Sequence, residues 1–429
     1  MKEITFAIKI LGCKVNQYES QIIRENLTRF GYRETEETKA DVVIINSCTV
    51  TGEADRKTRK LIKSIKKNNP GTRVIVTGCY AVSDDDIARL YSMREIFRVV
   101  PNSIKTDIPL ILNSLYGVGP AAHGGIYDNI SGFDSHTRAF VKIQDGCDQS
   151  CSYCKVTLVR GPSRSRERSE ILEEVERLIN AGYREVVMTG ICLGAWKGKC
   201  NEDLAGLLKG IEDIRGDFRI RLSSLEPNYI SSELLEVISG SKRICKHLHI
   251  PLQSGSDRVL ALMKRRYNTR QFRDLVRRVR SLMPMAGITM DVIAGFPGEE
   301  EKDIDLTVSF LKEIAPSRLH IFKYSDRAGT LASEMGKKVS PGTAKERVER
   351  LISLGRELQS EFAKKFIARD VDVLVEGGPE GHFVSGYTSE YIRVKISGFA
   401  GKENCVIRVR PEKFDKKNSC LIALLDKER

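Results

Sequence analysis

Cys147, Cys151 and Cys154 stand at CxxxCxxC spacing in GCDQSCSYCKV. Three thiolates this close can hold three corners of a cubane iron–sulfur cluster. The fourth iron then lacks a protein ligand, and an open coordination position is what a metal centre needs to bind and activate a small molecule. A zinc site would show a fourth ligand and paired CxxC elements; neither stands nearby. Cys13, Cys48 and Cys79 are far apart in sequence, yet each closes an apolar run: ILGC, INSC and TGC. If those runs are parallel strands, their C-terminal ends lie side by side and the thiols can converge on one crevice. That geometry suits a second three-thiolate cluster, against the alternative of separately buried cysteines. Cys192, Cys200, Cys245, Cys405 and Cys420 have no paired spacing and read as structural or incidental.

The elements around these residues follow a pattern. ITFAIKIL, ADVVIINS and RVIVTG alternate with helical stretches, of which ADRKTRKLIKSIKK is strongly basic. This β-α-β-α-β order implies a parallel sheet with crossover helices. The glycine-rich stretch 117–136 breaks the pattern and reads as a linker or a loop over the site. From 137 onward AFVKIQ, REVVMTG, RIRLSSLEP, CKHLHIPLQSG, ITMDVIAGFPG and RLHIFKYS are strand candidates separated by helices such as SEILEEVERLINAG. Six such units suggest an open (β/α)6 barrel, with Cys147, Cys151 and Cys154 just past its first strand, where such a barrel opens its active face. A long charged helix at about 341–366 leads to short β-type runs over 371–429, which read as a small antiparallel β-barrel. The fold class is therefore α/β throughout its first two units. The expected boundaries are 1–118, a linker at 119–136, 137–364 and 365–429.

The chain has 429 residues, too long for one ordinary core. Its net charge of +13 suits a polyanionic partner, most simply nucleic acid. No apolar run is long enough to span a membrane, and MKEITFAIKI lacks the features of a signal peptide. The expectation is a cytoplasmic protein, where eleven cysteines point to metal binding or catalysis.

GCDQSCSYCKVTLVRGPSRSR resembles the radical SAM motif of the methylthiotransferase family, as do RLSSLEP, HLHIPLQSGSDRVLALMKRRY and DVIAGFPGEE. The resemblance covers essentially the whole chain. It implies a [4Fe–4S] cluster on Cys147, Cys151 and Cys154 that cleaves S-adenosylmethionine (SAM). It implies an auxiliary [4Fe–4S] cluster on Cys13, Cys48 and Cys79 that serves sulfur insertion. It places Tyr153 by the SAM adenine and Thr189 and Gly190 at the methionine amino group, with Ser224, Glu226, Gln253 and Ser254 around the ribose and sulfonium. It makes the terminal barrel similar to a TRAM domain and calls for an electron donor such as flavodoxin or ferredoxin. Cys192, in VMTGICLGAW, departs from the pattern, which has a polar residue such as Asn or His there.

LGCKVNQYES, NSCTVTGEADRKTRK and VTGCYA resemble the bacterial MtaB-type branch, which acts on N6-threonylcarbamoyladenosine-37 in tRNA. The isopentenyladenosine branch reads closer to GCQMN-x-x-DS in the first block. The basic segments fit an RNA substrate, and Tyr387, Tyr391 and Arg393 are candidates to clamp the anticodon arm. The threonyl carboxylate demands a cation or a set of donors; the sequence does not locate it. The alternatives are the same chemistry on isopentenyladenosine or a ribosomal protein aspartate, a non-catalytic tRNA-binding iron–sulfur electron carrier, and a zinc-stabilised RNA-binding module.

Overall fold

Val42–Ser47 is buried along its whole length, as the centre of a parallel sheet covered on both faces must be. In the computed structural model this strand, β3, lies between β1 (Thr5–Ile10) and β4 (Arg73–Gly78), with β2 (Arg33–Glu34) and β5 (Ile96–Val99) at the edges. Every pair in this sheet is parallel. Its helices are α1 (Lys14–Arg29), α2 (Gly52–Asn68), α3 (Asp84–Tyr91) and α4 (Ile108–Tyr116). α2 starts where Thr51 accepts a hydrogen bond from the Ala54 amide, with Glu53 and Asp55 in the first turn and Lys66 and Lys67 in the last. That charge order complements the helix dipole. α1 begins directly after Cys13, earlier than the apolar pattern alone would place it. The structure describes residues 3–117, 126–133, 136–380, 383–399, 401 and 403–425.

The expected linker at 119–136 falls in part on 118–125 and 134–135, outside the described residues. Its described part, 126–133, is a packed strap. Asn26 and Tyr127 exchange two hydrogen bonds, at 2.9 and 3.0 Å, and the Ile130 amide donates to Glu174 at 2.9 Å. Ile130 and Phe133 are buried in the core of the next unit.

That unit contains β6 (Ala139–Lys142), a short antiparallel ribbon of β7 (Gln144–Asp145) and β8 (Arg164–Ser165), then β9 (Glu185–Thr189), β10 (Arg219–Leu222), β11 (His247–His249), β12 (Gly287–Ala294) and β13 (Arg318–Lys323). The parallel order β6-β9-β10 continues through the Ile220–Ile244 and Ser224–His249 bridges into β11-β12-β13. This is the open six-stranded barrel expected from the sequence. Its helices are α5 (Val156–Arg160), α6 (Arg168–Asn180), α7 (Leu204–Glu212), α8 (Ser232–Gly240), α9 (Asp257–Leu262), α10 (Thr269–Leu282) and α11 (Glu301–Ile314). α1 packs beside β6, and its Tyr18 enters the barrel's core and hydrogen-bonds Glu174 at 2.8 Å.

The long helix α12 (Pro341–Lys364) carries Phe362 into the core of a final sheet. Its strands are β14 (Val371–Glu380), β15 (Phe383–Thr388), β16 (Arg393–Ser397), β17 (Val406–Val409), β18 (Pro411–Asp415) and β19 (Cys420–Leu424), in the order β17-β14-β15-β16-β19-β18. It is antiparallel as expected except that β16 and β19 run parallel, because β17 and β18 intervene in the chain. β18 lies in a charged stretch without a strand pattern of its own. No described helix is long and apolar enough to cross a membrane.

Candidate functional site

Cys48 and Cys79 directly follow β3 and β4, and Cys13 lies three residues beyond β1. These are neighbouring strands, so the three cysteines reach one end of the sheet. Gly78 has φ +91°, and a Cβ there would lie 2.4 Å from the Ser47 carbonyl oxygen; only glycine lets β4 turn at that point. A Cβ on Gly12 would lie 2.9 Å from the Cys48 Cβ, so the first and second cysteine loops touch. The Cys13 and Cys79 thiols both donate to Asn16 Oδ1, at 3.7 and 4.0 Å. Burial pushes the Cys48 thiol up to about 11 and raises Cys79 as well. Thiols held this way release protons on binding a metal.

In the second set, the Gln149 and Val156 amides each donate to a sulfur, Cys147 and Cys154 respectively, at 3.4 Å. Arg265 donates to Cys151 Sγ at 3.0 Å. Burial pushes Cys154 up to about 12, whereas a hydrogen bond from the Cys192 thiol lowers Cys147 to about 7. Cys192 is thus buried beside Cys147, closer to the site than its unpaired spacing suggested. Soft sulfur donors with N–H groups and a guanidinium aimed at them fit an iron–sulfur cluster. The N-terminal set fits one too, with three thiols at adjacent strand ends and Arg160 within Coulombic reach of Cys79.

The residues expected around SAM divide. Tyr153, Gln253 and Cys154 line a cleft together with Asp291, Ile293 and Tyr324. Its other wall is Val50 and Thr51, just beyond Cys48, so the cleft reaches from Cys154 to the segment that follows Cys48. Gln253 holds φ +67° there, with its amide donating to the Asp291 carbonyl at 2.8 Å. Glu226 is ion-paired to Arg265, which also donates to the Tyr153 hydroxyl at 3.4 Å. Thr189 ends β9, and Gly190 packs against Gln144, whose Oε1 would lie 3.0 Å from a Cβ at 190. Ser224 bridges to His249. Ser254 is turned inward, its hydroxyl 3.4 Å from Thr307 Oγ1 and accepting from the Ser256 amide at 3.2 Å.

Sequence reading missed the groups that join the sets. Arg160, at the end of α5, donates to Asn16 Oδ1 at 2.6 Å and to Glu19 at 3.0 Å. Burial would raise the Glu19 carboxyl, but Lys105, Lys142 and Arg160 together hold it well below the usual range. Arg327 reaches from the barrel to Thr49 at 2.6 Å and Asp55 at 2.7 Å.

Further into the barrel, His249 Nε2 and His320 Nδ1 meet the two oxygens of Asp291 at 3.2 and 3.3 Å, with the imidazoles stacked. Below them lie Glu185, Arg138, Arg219 and Arg221. Arg221 holds Glu185 at 2.7 Å, and the guanidiniums overcome burial to hold that carboxyl down at about 2. The β15–β16 turn closes this floor. Tyr391 stacks on Tyr387 and lies against His247, while Arg221 donates to the Ser389 and Thr388 carbonyls at 3.1 Å. Tyr387, Tyr391 and Arg393, whose guanidinium reaches Ser385 at 3.4 Å, are half-buried and line one cleft.

Residues 5–97 match the uncharacterized protein family UPF0004, and residues 141–311 match the radical SAM superfamily. The threonylcarbamoyladenosine tRNA methylthiotransferase MtaB of Thermotoga maritima is 36% identical over 409 residues, covering 95% of this chain and 94% of its own. The chain belongs to the threonylcarbamoyladenosine tRNA methylthiotransferase family. The Bacillus subtilis MtaB is 35% identical, with 95% of this chain and 93% of its own covered. The tRNA-2-methylthio-N(6)-dimethylallyladenosine synthase of B. subtilis is 29% identical, with 94% and 83% covered. Among solved structures, the radical SAM methyltransferase TsrM from Kitasatospora setae shares the fold, with a TM-score of 0.57, 12% identity and 83% and 89% coverage. Family membership and the radical SAM match give this methylthiotransferase SAM and an iron–sulfur cluster as cofactors.

Proposed function

We propose that this chain adds a methylthio group to C2 of N6-threonylcarbamoyladenosine-37 in tRNA, with one cluster on Cys147, Cys151 and Cys154 and a second on Cys13, Cys48 and Cys79. The observation that carries this reading is the shared cleft: Val50 and Thr51 beyond Cys48 face Cys154 and Tyr153 across it. Cys147, Cys151 and Cys154 would hold the group that supplies the electron for SAM cleavage, and Cys13, Cys48 and Cys79 would hold the one that supplies sulfur. The chain's own residues hold both sides in register. Arg265 fixes Cys151, Glu226 and Tyr153 as one unit. Arg160, bonded to Asn16, ties α5 to the loop of Cys13. Tyr153 and Gln253 wall the space where SAM would lie.

The three units at 1–118, 137–364 and 365–429 would divide the work into sulfur donation, SAM cleavage and a TRAM-like hold on the anticodon arm. A flavodoxin or ferredoxin would supply electrons in the cytoplasm. The test is anaerobic reconstitution with SAM and a reductant, then mass spectrometry of nucleosides from tRNAs bearing either threonylcarbamoyladenosine or isopentenyladenosine. Methylthiolation of the first alone is expected. Modification of the second alone would overturn the substrate assignment. Iron bound without SAM consumption would leave an electron carrier.

A further inference from the structure

One segment of the barrel touches both cysteine loops. Just past β13 the chain runs from Ser325 to Ala332, and its far end lies on the Cys151 loop: the Ala332 amide donates to the Ser152 carbonyl at 2.7 Å. Ser152 stands between Cys151 and Tyr153, and its hydroxyl and amide donate in turn to the Leu262 and Met263 carbonyls at 2.8 and 3.1 Å. The near end lies on the Cys48 loop. Arg327 donates to Thr49 Oγ1 at 2.6 Å and pairs with Asp55 at 2.7 Å, and Ser325 Oγ accepts from the Gly52 amide at 2.9 Å. Val50 and Thr51, one wall of the cleft, are thus pinned on either side. Between the two ends, the Thr330 hydroxyl and amide both donate to the Arg327 carbonyl, at 2.8 and 3.1 Å. Arg327 is 8% exposed, Asp55 is 7% exposed and Thr49 is fully buried. A buried ion pair is a poor source of stability, and its best-attested use is to fix register.

We infer that segment 325–332 is a strut that sets the gap between the two cysteine sets, with Arg327 as its positioning residue for methylthio transfer. This rests on the proposed reaction and adds what aligns its two halves. Cys48 adjoins Thr49, so a shift of the Arg327 contact moves Cys48 relative to Cys151 and Tyr153. SAM cleavage draws on the barrel's residues alone. Product formation needs one base to meet both sides, and a misplacement of about 1 Å can cost such a step about a hundredfold. Loosening the strut therefore separates the two outcomes: SAM is still consumed, but fewer cleavage events end in product. A single guanidinium nitrogen, Nη2, makes both the Thr49 and the Asp55 contacts. A lysine ammonium, with three donors and the same charge, can replace it in part.

The test uses the reconstituted full chain with SAM, a reductant and tRNA bearing threonylcarbamoyladenosine. The readout is 5′-deoxyadenosine released per methylthiolated nucleoside. Arg327→Gln should keep SAM cleavage within about twofold of the wild type and raise this ratio by about tenfold or more. Arg327→Lys should restore part of the coupling. A merely structural role would lower both products together and leave the ratio unchanged. Hydrogen exchange of the same protein gives a second readout, independent of activity: amides of 50–55 should exchange faster in Arg327→Gln while those of β3 keep the wild-type rate. Ser325→Ala, which removes a single bond, should move both readouts the same way by less, and it takes over the test where Arg327→Gln does not fold. A wild-type ratio in Arg327→Gln, or wild-type exchange over 50–55, overturns the inference. A wild type that releases 5′-deoxyadenosine but never methylthiolates contradicts the proposed reaction instead, and the exchange measurement then still decides the strut.

Discussion

Arg265 touches Cys151, Glu226 and Tyr153 at once, and nothing in its local sequence announces this. Arg265→Met should leave Glu226 unpaired in a confined site and lower SAM cleavage by about tenfold to a hundredfold, read as 5′-deoxyadenosine release. Cys192 presents the opposite case. Its spacing pairs it with no other cysteine, yet its thiol donates to Cys147. A hydrogen-bond donor is not a ligand, so Cys192→Ala should keep the iron content of the wild type by elemental analysis. The two groupings of cysteines were legible because thiol spacing and strand ends are local signals. Arg265 and Arg160 were not, because each meets its partners across a long stretch of chain. Ser254 shows the limit in the other direction: a residue matched by motif has its hydroxyl directed into α11.

The element that couples the halves of the site is α5 against α1. Arg160 and Glu19 are both buried, and Lys105 and Lys142 share the same carboxylate. Removing one partner of a buried pair costs about 3–5 kcal/mol. Arg160→Ala should destabilise the chain by that order in urea unfolding, more than the exposed Lys209–Glu233 pair could account for if removed. The network also sets an acid limit. Glu19 holds its proton more weakly folded than unfolded. Its stabilisation is therefore full above the unfolded pKa of about 4.3 and is lost as pH falls through the lower folded value. Glu185, held down at about 2, adds a second loss over about pH 4 to 2. Glu19→Gln should flatten this part of the stability–pH curve. The helices and parallel strands were legible from apolar runs and their breaks. β18 was not, because PEKFD has no alternating pattern and is held by its pairing with β19.

Across the whole molecule, a net charge of +13 is placed for a polyanion. Lys57, Lys60 and Lys63 stand exposed on α2, beyond the Cys48 loop, whereas on α10 Arg273 is held by Glu313 at 2.6 Å. Charge reversal of the three α2 lysines should weaken tRNA binding and reduce its log–log salt slope by roughly 0.7–0.9 for each phosphate no longer neutralised. The order of sheet, barrel and terminal sheet was readable from the sequence, but their closure was not. Arg327 seals α2 to the barrel, and the β15–β16 turn plugs the barrel floor; both join residues far apart in the chain. One cleft reaches from Cys154 to the segment after Cys48, and the proposed reaction gives the two cysteine sets different work. The decisive measurement follows 5′-deoxyadenosine and methylthiolated nucleoside together in the Cys13→Ala, Cys48→Ala and Cys79→Ala variants. SAM cleavage should persist while the methylthiolated product disappears; product formation at the wild-type level would contradict the division of labour between the two sets.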